Sequence, residues 1–257
     1  LKGSDIPLLA SEHNVREYYK NRKLEYGLLR ISVSLSNRFS VISSVVGDGF
    51  SADLRKKMVV LPNPVRAFEP AIRNGQQHKV ILSVGRLVEL KNHKTLIAAF
   101  SKVADEFPDW TLRIVGDGDL RVDMETQIEA LGLRERVQLP GFSSEMGQEY
   151  ESADIFVHPS RYESFGMATA EAAAHGLPCL GFADCTGTNE LIIDGVTGEL
   201  VGSLNRAEGL GKKMAGLMAK PELCRKYGEA AKTRIAEFSL DRCVDRLEQQ
   251  LYEMHRS

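Results

Sequence analysis

Two cations stand five residues apart in Gly85-Arg86-Leu87-Val88-Glu89-Leu90-Lys91, directly after the apolar run Lys79–Val84 and before a helical pattern. The free N–H groups at a helix start favour anions, and Arg86 and Lys91 beside them suit a diphosphate. Taken alone, the same two residues read equally well as solvated surface charges. Further along, Glu163 and Glu171 bracket the stretch Ser-Phe-Gly-Met-Ala-Thr-Ala. A carboxylate accepts two hydrogen bonds from a vicinal diol, so one glutamate suits a ribose and the other a sugar ring. Gly166 lets the backbone approach a ligand, and the amides around Phe165, Gly166 and Met167 point out of a helix start. Glu171 lies among the small apolar residues of Ala168–Ala174, which pack on a sheet; a half-buried carboxylate there needs a partner. His13, in Ser11-Glu12-His13-Asn14, reads as a structural or solvated loop histidine as readily as a functional one.

These residues fall where a parallel sheet would place a ligand, beyond the carboxyl ends of strands. The run Lys79–Val84 predicts a strand. Asn92–Glu106 predicts a helix, with Leu96, Ile97, Phe100 and Val103 on one face, Asn92 as N-cap and Pro108 as stop. Strands follow at Trp110–Val115, Arg136–Leu139, Asp154–His158 and Leu177–Phe182. Helices lie between them, up to Ala130, at Met146–Ser152 and at Ala168–His175. Alternation of this kind points to an α/β parallel sheet covered on both faces.

The first 66 residues differ. Leu8–Ser11 predicts a short strand, Val15–Phe39 a long charged helix, and Val41–Val46 and Lys57–Leu61 two more strands, too few to close a doubly wound domain. The stretch from Pro62 to His78 reads as a linker. After Asn205 the chain turns helical: Arg206–Ala219, Pro221–Phe238, and Ser239–His255 with Ser239 as N-cap.

Composition narrows the function classes. The chain has 257 residues, 43% hydrophobic and 26% charged, with formal net charge -2, so no global basic field favours nucleic acid. Cys179, Cys185, Cys224 and Cys243 form no C-x-x-C pair and no zinc-ligand spacing, and read as small apolar residues in a reducing compartment. No apolar run approaches the roughly 20 residues of a membrane-spanning helix, and no signal-peptide pattern is present. The chain starts at Leu1 rather than Met, which reads as a fragment. Gly116-Asp117-Gly118 opens like G-x-G-x-x-G, but Arg121 takes the third glycine's place, so a tight turn is the simpler account and a dehydrogenase is disfavoured.

Glu163-Ser-Phe-Gly-Met-Ala-Thr-Ala-Glu171 resembles the E-x7-E signature of the retaining glycosyltransferases of family 4. SVGRL with Lys91, IVGDG, VQLPGF, ADIFVHPS, HGLPCLGF and DGVTGELV follow in that family's order, from Val80 to Val201. The resemblance implies the GT-B fold, two facing Rossmann-like domains. Here it predicts residues 67–238 as a complete donor-binding domain and 1–66 as the last part of an acceptor-side domain. Residues 239–257 would be a helix packing back on the latter, and the glycine-rich opening of the acceptor domain is missing. It implies that Arg86 and Lys91, beside Gly85, hold the donor's phosphates, that Glu171 binds the ribose, and that Glu163 lies near the donor sugar. Backbone around Phe165, Gly166 and Met167 would contact sugar or phosphate, main chain near Pro140, Gly141 and Phe142 the base, and His13 would face the donor sugar.

The implied activity is hexosyl transfer from a UDP- or GDP-sugar to a sugar, lipid-linked or small-molecule acceptor, with retention at the anomeric carbon. No metal or further cofactor is needed. Polysaccharide or glycolipid assembly in the cytoplasm, with peripheral association at the inner membrane face, is the setting that follows by analogy. Two other readings stay open: a nucleotide-sugar binder without turnover, and a GT-B nucleotide-sugar epimerase.

Overall fold

The computed structural model describes residues 6–66 and 77–256. Two sheets, both wholly parallel, organise them. The smaller contains β1 (Leu9–Glu12), β2 (Arg38–Val41) and β3 (Met58–Val60), in the order β1-β2-β3. The larger contains β4 (Val80–Val84), β5 (Thr111–Val115), β6 (Val137–Gly141), β7 (Ile155–His158), β8 (Cys179–Phe182) and β9 (Gly198–Val201). Their spatial order is β6-β5-β4-β7-β8-β9. The chain builds outward from β4 to β6, then returns to lay β7 on the other side of β4. The helix after β4 packs on one face and the helix after β7 on the other, so β4 and β7 form the switch point, where open sheets of this kind offer a ligand crevice at the carboxyl ends of the strands.

Strand side chains alternate between two apolar layers. Ile81, Leu112, Ile114, Ile155, Val157 and Leu180 face one, closed by the helices His93–Ser101 and Arg206–Met218. Leu82, Val115, Phe156 and Cys179 face the other, closed by Met167–Ala174 and Pro221–Ile235. Burial on both faces explains why these strands read as unbroken apolar runs, and each fully buried Leu, Ile or Phe contributes on the order of 1.5–3 kcal/mol. A third cluster, around Val15, Phe39, Val41 and Phe50, holds the smaller sheet. The two units meet where Val65 donates its N–H to the carbonyl of Phe238 (2.8 Å) and Phe165 stacks edge-on against Phe238 at 5.4 Å. Tyr162 reaches from the larger unit to pack on the third cluster.

Three expectations need correction. The helix predicted over Val15–Phe39 is a 3-10 turn at Arg16–Tyr19 and a helix at Lys23–Leu35, and β2 begins at Arg38. Lys57 Nζ ends that helix by donating to the carbonyls of Val33, Ser34 and Ser36, a long-range cap that local sequence does not announce. The strand predicted at Val41–Val46 is displaced to Arg38–Val41, and Ser44–Asp48 is helical because Ser43 Oγ accepts from the Val46 N–H at 3.1 Å. The helix predicted at Asn92–Glu106 runs only over His93–Ser101. Asn92, at φ 55, gives it no side-chain cap; its Nδ2 donates instead to the carbonyl of Pro159.

Strand β9 and the short helix Thr188–Leu191 were not predicted. Gly198, a poor strand former, is there because a Cβ would fall 1.8 Å from the carbonyl oxygen of Cys179. The middle of the stretch read as a linker, residues 67–76, lies outside the described residues.

Candidate functional site

The loops after β4 and β7 line the crevice and are tied together. Leu90 accepts the Arg161 N–H at 3.0 Å, and the Asn92 side chain reaches Pro159 at 3.1 Å. The β4 loop rests on the β5 loop: a Cβ on Gly116 would lie 2.1 Å from the Gly85 carbonyl oxygen, and one on Gly118 would lie 2.6 Å from that of Leu87. The glycines of IVGDG therefore permit close backbone approach, and what they position is the segment carrying Arg86.

Lys91 and Glu163 meet across the crevice. Lys91 Nζ donates to Glu163 Oε1 at 2.5 Å, and both side chains are mostly enclosed, 19% and 14% exposed. His158, the last residue of β7, bonds through Nε2 to the same oxygen at 2.8 Å. A carboxylate only accepts, so Nε2 carries the proton in this contact. Burial alone would raise the Glu163 carboxyl, but His158 and Lys91 together hold it down at about 2. Glu163 Oε2 has no hydrogen-bond partner among the described residues. Behind this group His93 is buried, its Nδ1 3.3 Å from Ser83 Oγ; burial first, then nearby His158 and Lys91, lower it to about 3, so it is neutral at ordinary pH.

Arg86 is exposed, and its guanidinium has no hydrogen-bond or ion-pair partner among the described residues. Gly85 lies beside Lys91 and His93, whose atoms would be 3.4 and 3.5 Å from a Cβ placed there. Gly166 takes φ 87 as the N-cap of the helix Met167–Ala174, and a Cβ there would sit 3.0 Å from Thr188 Oγ1. The first amides of that helix, those of Met167, Ala168 and Thr169, have no intrahelical acceptor. The Phe165 side chain is buried against Phe238, so only its backbone is available to a ligand, and the Met167 side chain is exposed.

Glu171 is half-buried, and the partner it needs is Tyr150, whose hydroxyl donates to Oε2 at 2.7 Å. Burial, with the Glu171 charge adding to it, raises the Tyr150 phenol, which stays a donor. The Tyr150 ring stacks on His175, whose Nδ1 is 2.9 Å from the Glu171 carbonyl oxygen. Pro140 and Gly141 end β6, two strands away from β4, and Phe142 follows it. Gly141, at φ 86, accepts the Gly116 N–H at 2.8 Å, and Phe142 is 80% exposed.

His13 is exposed at the carboxyl end of β1. Its neighbours are locked: Glu12, buried, accepts from the Asn14 backbone and side chain at 2.7 and 2.9 Å, and from the Tyr19 hydroxyl. The structure thus brings Lys91 and Glu163 into contact, whereas Arg86, Glu171 and His13 make no hydrogen bond or ion pair with them among the described residues. Sequence reasoning missed His158, Tyr150 and His93. A polar residue closing a buried strand, as His158 does in DIFVH, was the signal for the first; nothing local marked Tyr150. Among the described residues no group of three or more His, Cys, Asp or Glu is placed to hold a metal ion, and no helix is long and apolar enough to cross a membrane.

The family model described as glycosyl transferases group 1 matches residues 66–234. An exopolysaccharide phosphotransferase of Streptomyces coelicolor is 34% identical over 200 residues, 77% of this chain and 21% of that protein. A poly(glycerol-phosphate) alpha-glucosyltransferase of Bacillus subtilis is 29% identical over 168 residues, 65% of this chain and 25% of that one. The chain thus spans about a fifth to a quarter of the length of these two relatives. Among solved structures, S. aureus TarM in complex with fondaparinux, alpha-GlcNAc-glycerol and UDP superposes with a TM-score of 0.84 at 19% identity, covering 98% of this chain and 51% of that one. HepE of Anabaena, in complex with UDP and glucose, gives 0.83 at 19%, covering 96% and 72%. These likenesses place the fold among GT-B glycosyltransferases.

Proposed function

Because the chain belongs to the glycosyl transferases group 1 family, we propose that it forms the nucleotide-sugar site of a retaining glycosyltransferase of family 4. The observation that carries this is the ion pair of Lys91 and Glu163 at the β4–β7 switch point, flanked by Arg86, which has no ion-pair or hydrogen-bond partner among the described residues, and by the N-terminal amides of the helix Met167–Ala174. In this reading Lys91 and Arg86 hold the diphosphate, and the helix start adds donors where charge develops as the glycosidic bond breaks. Glu171 Oε1, unpartnered among the described residues, takes the ribose hydroxyls. Glu163 Oε2 takes a hydroxyl of the sugar, and main chain at Pro140–Phe142 meets the base.

His13 faces the sugar from the smaller unit, which we read as the last part of an acceptor-side domain over residues 1–66. Residues 67–238 form the donor domain and 239–257 the returning helix. Retention fits front-face attack, in which the leaving diphosphate takes the acceptor's proton; among the described residues we assign no side chain as the general base an inverting enzyme needs. UDP in the TarM and HepE complexes favours UDP-sugars among the donors. The exopolysaccharide and poly(glycerol-phosphate) names of the relatives favour a polymer-building pathway; a cytoplasmic setting and a saccharide or lipid-linked acceptor follow by analogy alone. Peripheral membrane attachment is supported by the helix Lys23–Leu35, which exposes Leu24, Leu28, Ile31 and Leu35 in one row.

The test is calorimetric titration with UDP, GDP and their sugars, followed by assays of transfer and of donor hydrolysis, with product anomers read by NMR. Failure to bind any nucleotide overturns the proposal, and an inverted product overturns retention. The small, three-stranded first sheet favours one second reading, a donor-binding unit that needs further polypeptide for turnover. Binding without transfer or hydrolysis would support it.

A further inference from the structure

We propose that Lys91 is contested: a donor diphosphate draws it away from Glu163, and His158 holds the carboxylate in place when it leaves. This rests on the site reading above. Lys91 Nζ and His158 Nε2 load the same oxygen, Glu163 Oε1, at 2.5 and 2.8 Å. The two donors differ in freedom. His158 is 2% exposed at the end of the central strand β7, with its ring held beside Phe156. Lys91 carries its charge on a four-carbon stem at the end of the 3-10 turn Glu89–Lys91 and keeps a partly open side, so it is the one able to swing.

An ammonium engaged by Glu163 serves a diphosphate poorly, so the carboxylate acts as an internal rival of the incoming anion. Once Lys91 turns to the phosphates, Glu163 would be a mostly enclosed charge without a counterpart, a strongly disfavoured state. The His158 N–H bond relieves this. It also leaves Oε1 with one bond instead of two, so that diphosphate binding readies Glu163 to accept sugar hydroxyls. His158 is thus a positioning residue that couples the phosphate and sugar subsites.

Inorganic pyrophosphate is the probe, because it carries the diphosphate and no base; UDP is titrated beside it by calorimetry on the full chain at low ionic strength. Glu163→Gln should tighten pyrophosphate by about three- to tenfold, because the rival charge is gone. Lys91→Ala added to it should erase the gain. His158→Gln should weaken pyrophosphate severalfold, and Glu163→Gln combined with His158→Gln should restore the tight value, an outcome that a merely structural histidine would not produce. Should Glu163→Gln fail to fold, Glu163→Ala carries the same expectation. Unchanged or weaker pyrophosphate binding in the Glu163 variants, with Lys91→Ala still lowering affinity, overturns this inference alone. Pyrophosphate and UDP binding that is absent, or indifferent to Lys91→Ala, overturns the site reading and the inference with it.

Discussion

The Tyr150 hydroxyl donates to Oε2 of Glu171 at 2.7 Å, and the other carboxylate oxygen has no partner among the described residues. Glu163 shows the same division, one oxygen bonded by the protein and one left over among the described residues. A carboxylate held by one oxygen is oriented without being used up, the arrangement a diol-binding group needs. Tyr150→Phe keeps the buried ring and removes only the donor. It should weaken UDP binding by about 0.5–1.5 kcal/mol, read by calorimetry. Wild-type affinity in this variant would show that the tyrosine serves packing alone.

Glu171→Ala and Lys91→Ala should each weaken nucleotide binding by about 1–3 kcal/mol through lost charge-assisted hydrogen bonds. Arg86→Ala should act in the same direction without lowering stability, because the exposed Arg86 side chain has no ion-pair or hydrogen-bond partner to lose among the described residues. Urea unfolding of the three variants beside the titrations separates binding from folding.

Gly116→Ala should destabilise by about 2–4 kcal/mol, because the new Cβ would fall 2.1 Å from backbone, the Gly85 carbonyl oxygen, and the β4 loop must shift. Gly216→Ala, inside the helix Arg206–Met218 with nothing within 4 Å of the new Cβ, should instead stabilise by about 0.5–1 kcal/mol. Chemical denaturation of both checks the contrast. The first variant should also lose UDP affinity, since that loop carries Arg86 and Lys91.

Acid should destabilise the protein in two windows. His93, lowered from 6.5 to about 3, binds its proton more readily in the unfolded chain, so its contribution is full above pH 6.5 and lost as pH falls toward about 3. Glu163, lowered from 4.5 to about 2, contributes fully above pH 4.5 and loses that contribution as pH falls toward about 2. Stability measured by urea unfolding from pH 7 to pH 3 should therefore fall from near pH 6.5 and more steeply below 4.5. His93→Gln should flatten the upper window and Glu163→Gln the lower. A wild-type slope in His93→Gln between pH 6.5 and 4.5 would contradict the first assignment.

Legibility differed between the two units for a physical reason. In the larger unit both sheet faces are covered, so strands such as β7 are apolar throughout and stand out from amphipathic helices. In the smaller unit, boundaries depend on single side chains, one of them far along the chain. Lys57 ends the helix Lys23–Leu35, and Ser43 turns a β-branched run into a helix start. Arg38–Val41 and Ser44–Asp48 were accordingly misassigned. Strand β9 was missed because its opening Gly198 is explained only by the carbonyl of Cys179 on the neighbouring strand.

By itself the sequence determined the alternation of apolar strands and helices, hence a parallel sheet, and it marked Arg86, Lys91 and Glu163 after strand ends and Glu171 on the following helix as candidates for a ligand site. Only the tertiary structure decided which of them meet. Lys91 and Glu163 are 72 residues apart and bond because β7 lies beside β4, an adjacency set by how helices pack on both faces of the sheet rather than by any local pattern. The same packing placed Tyr150 on Glu171 and His158 on Glu163, and left Arg86 and His13 exposed. Residue types state what a site can bind; strand order decides which of them share it.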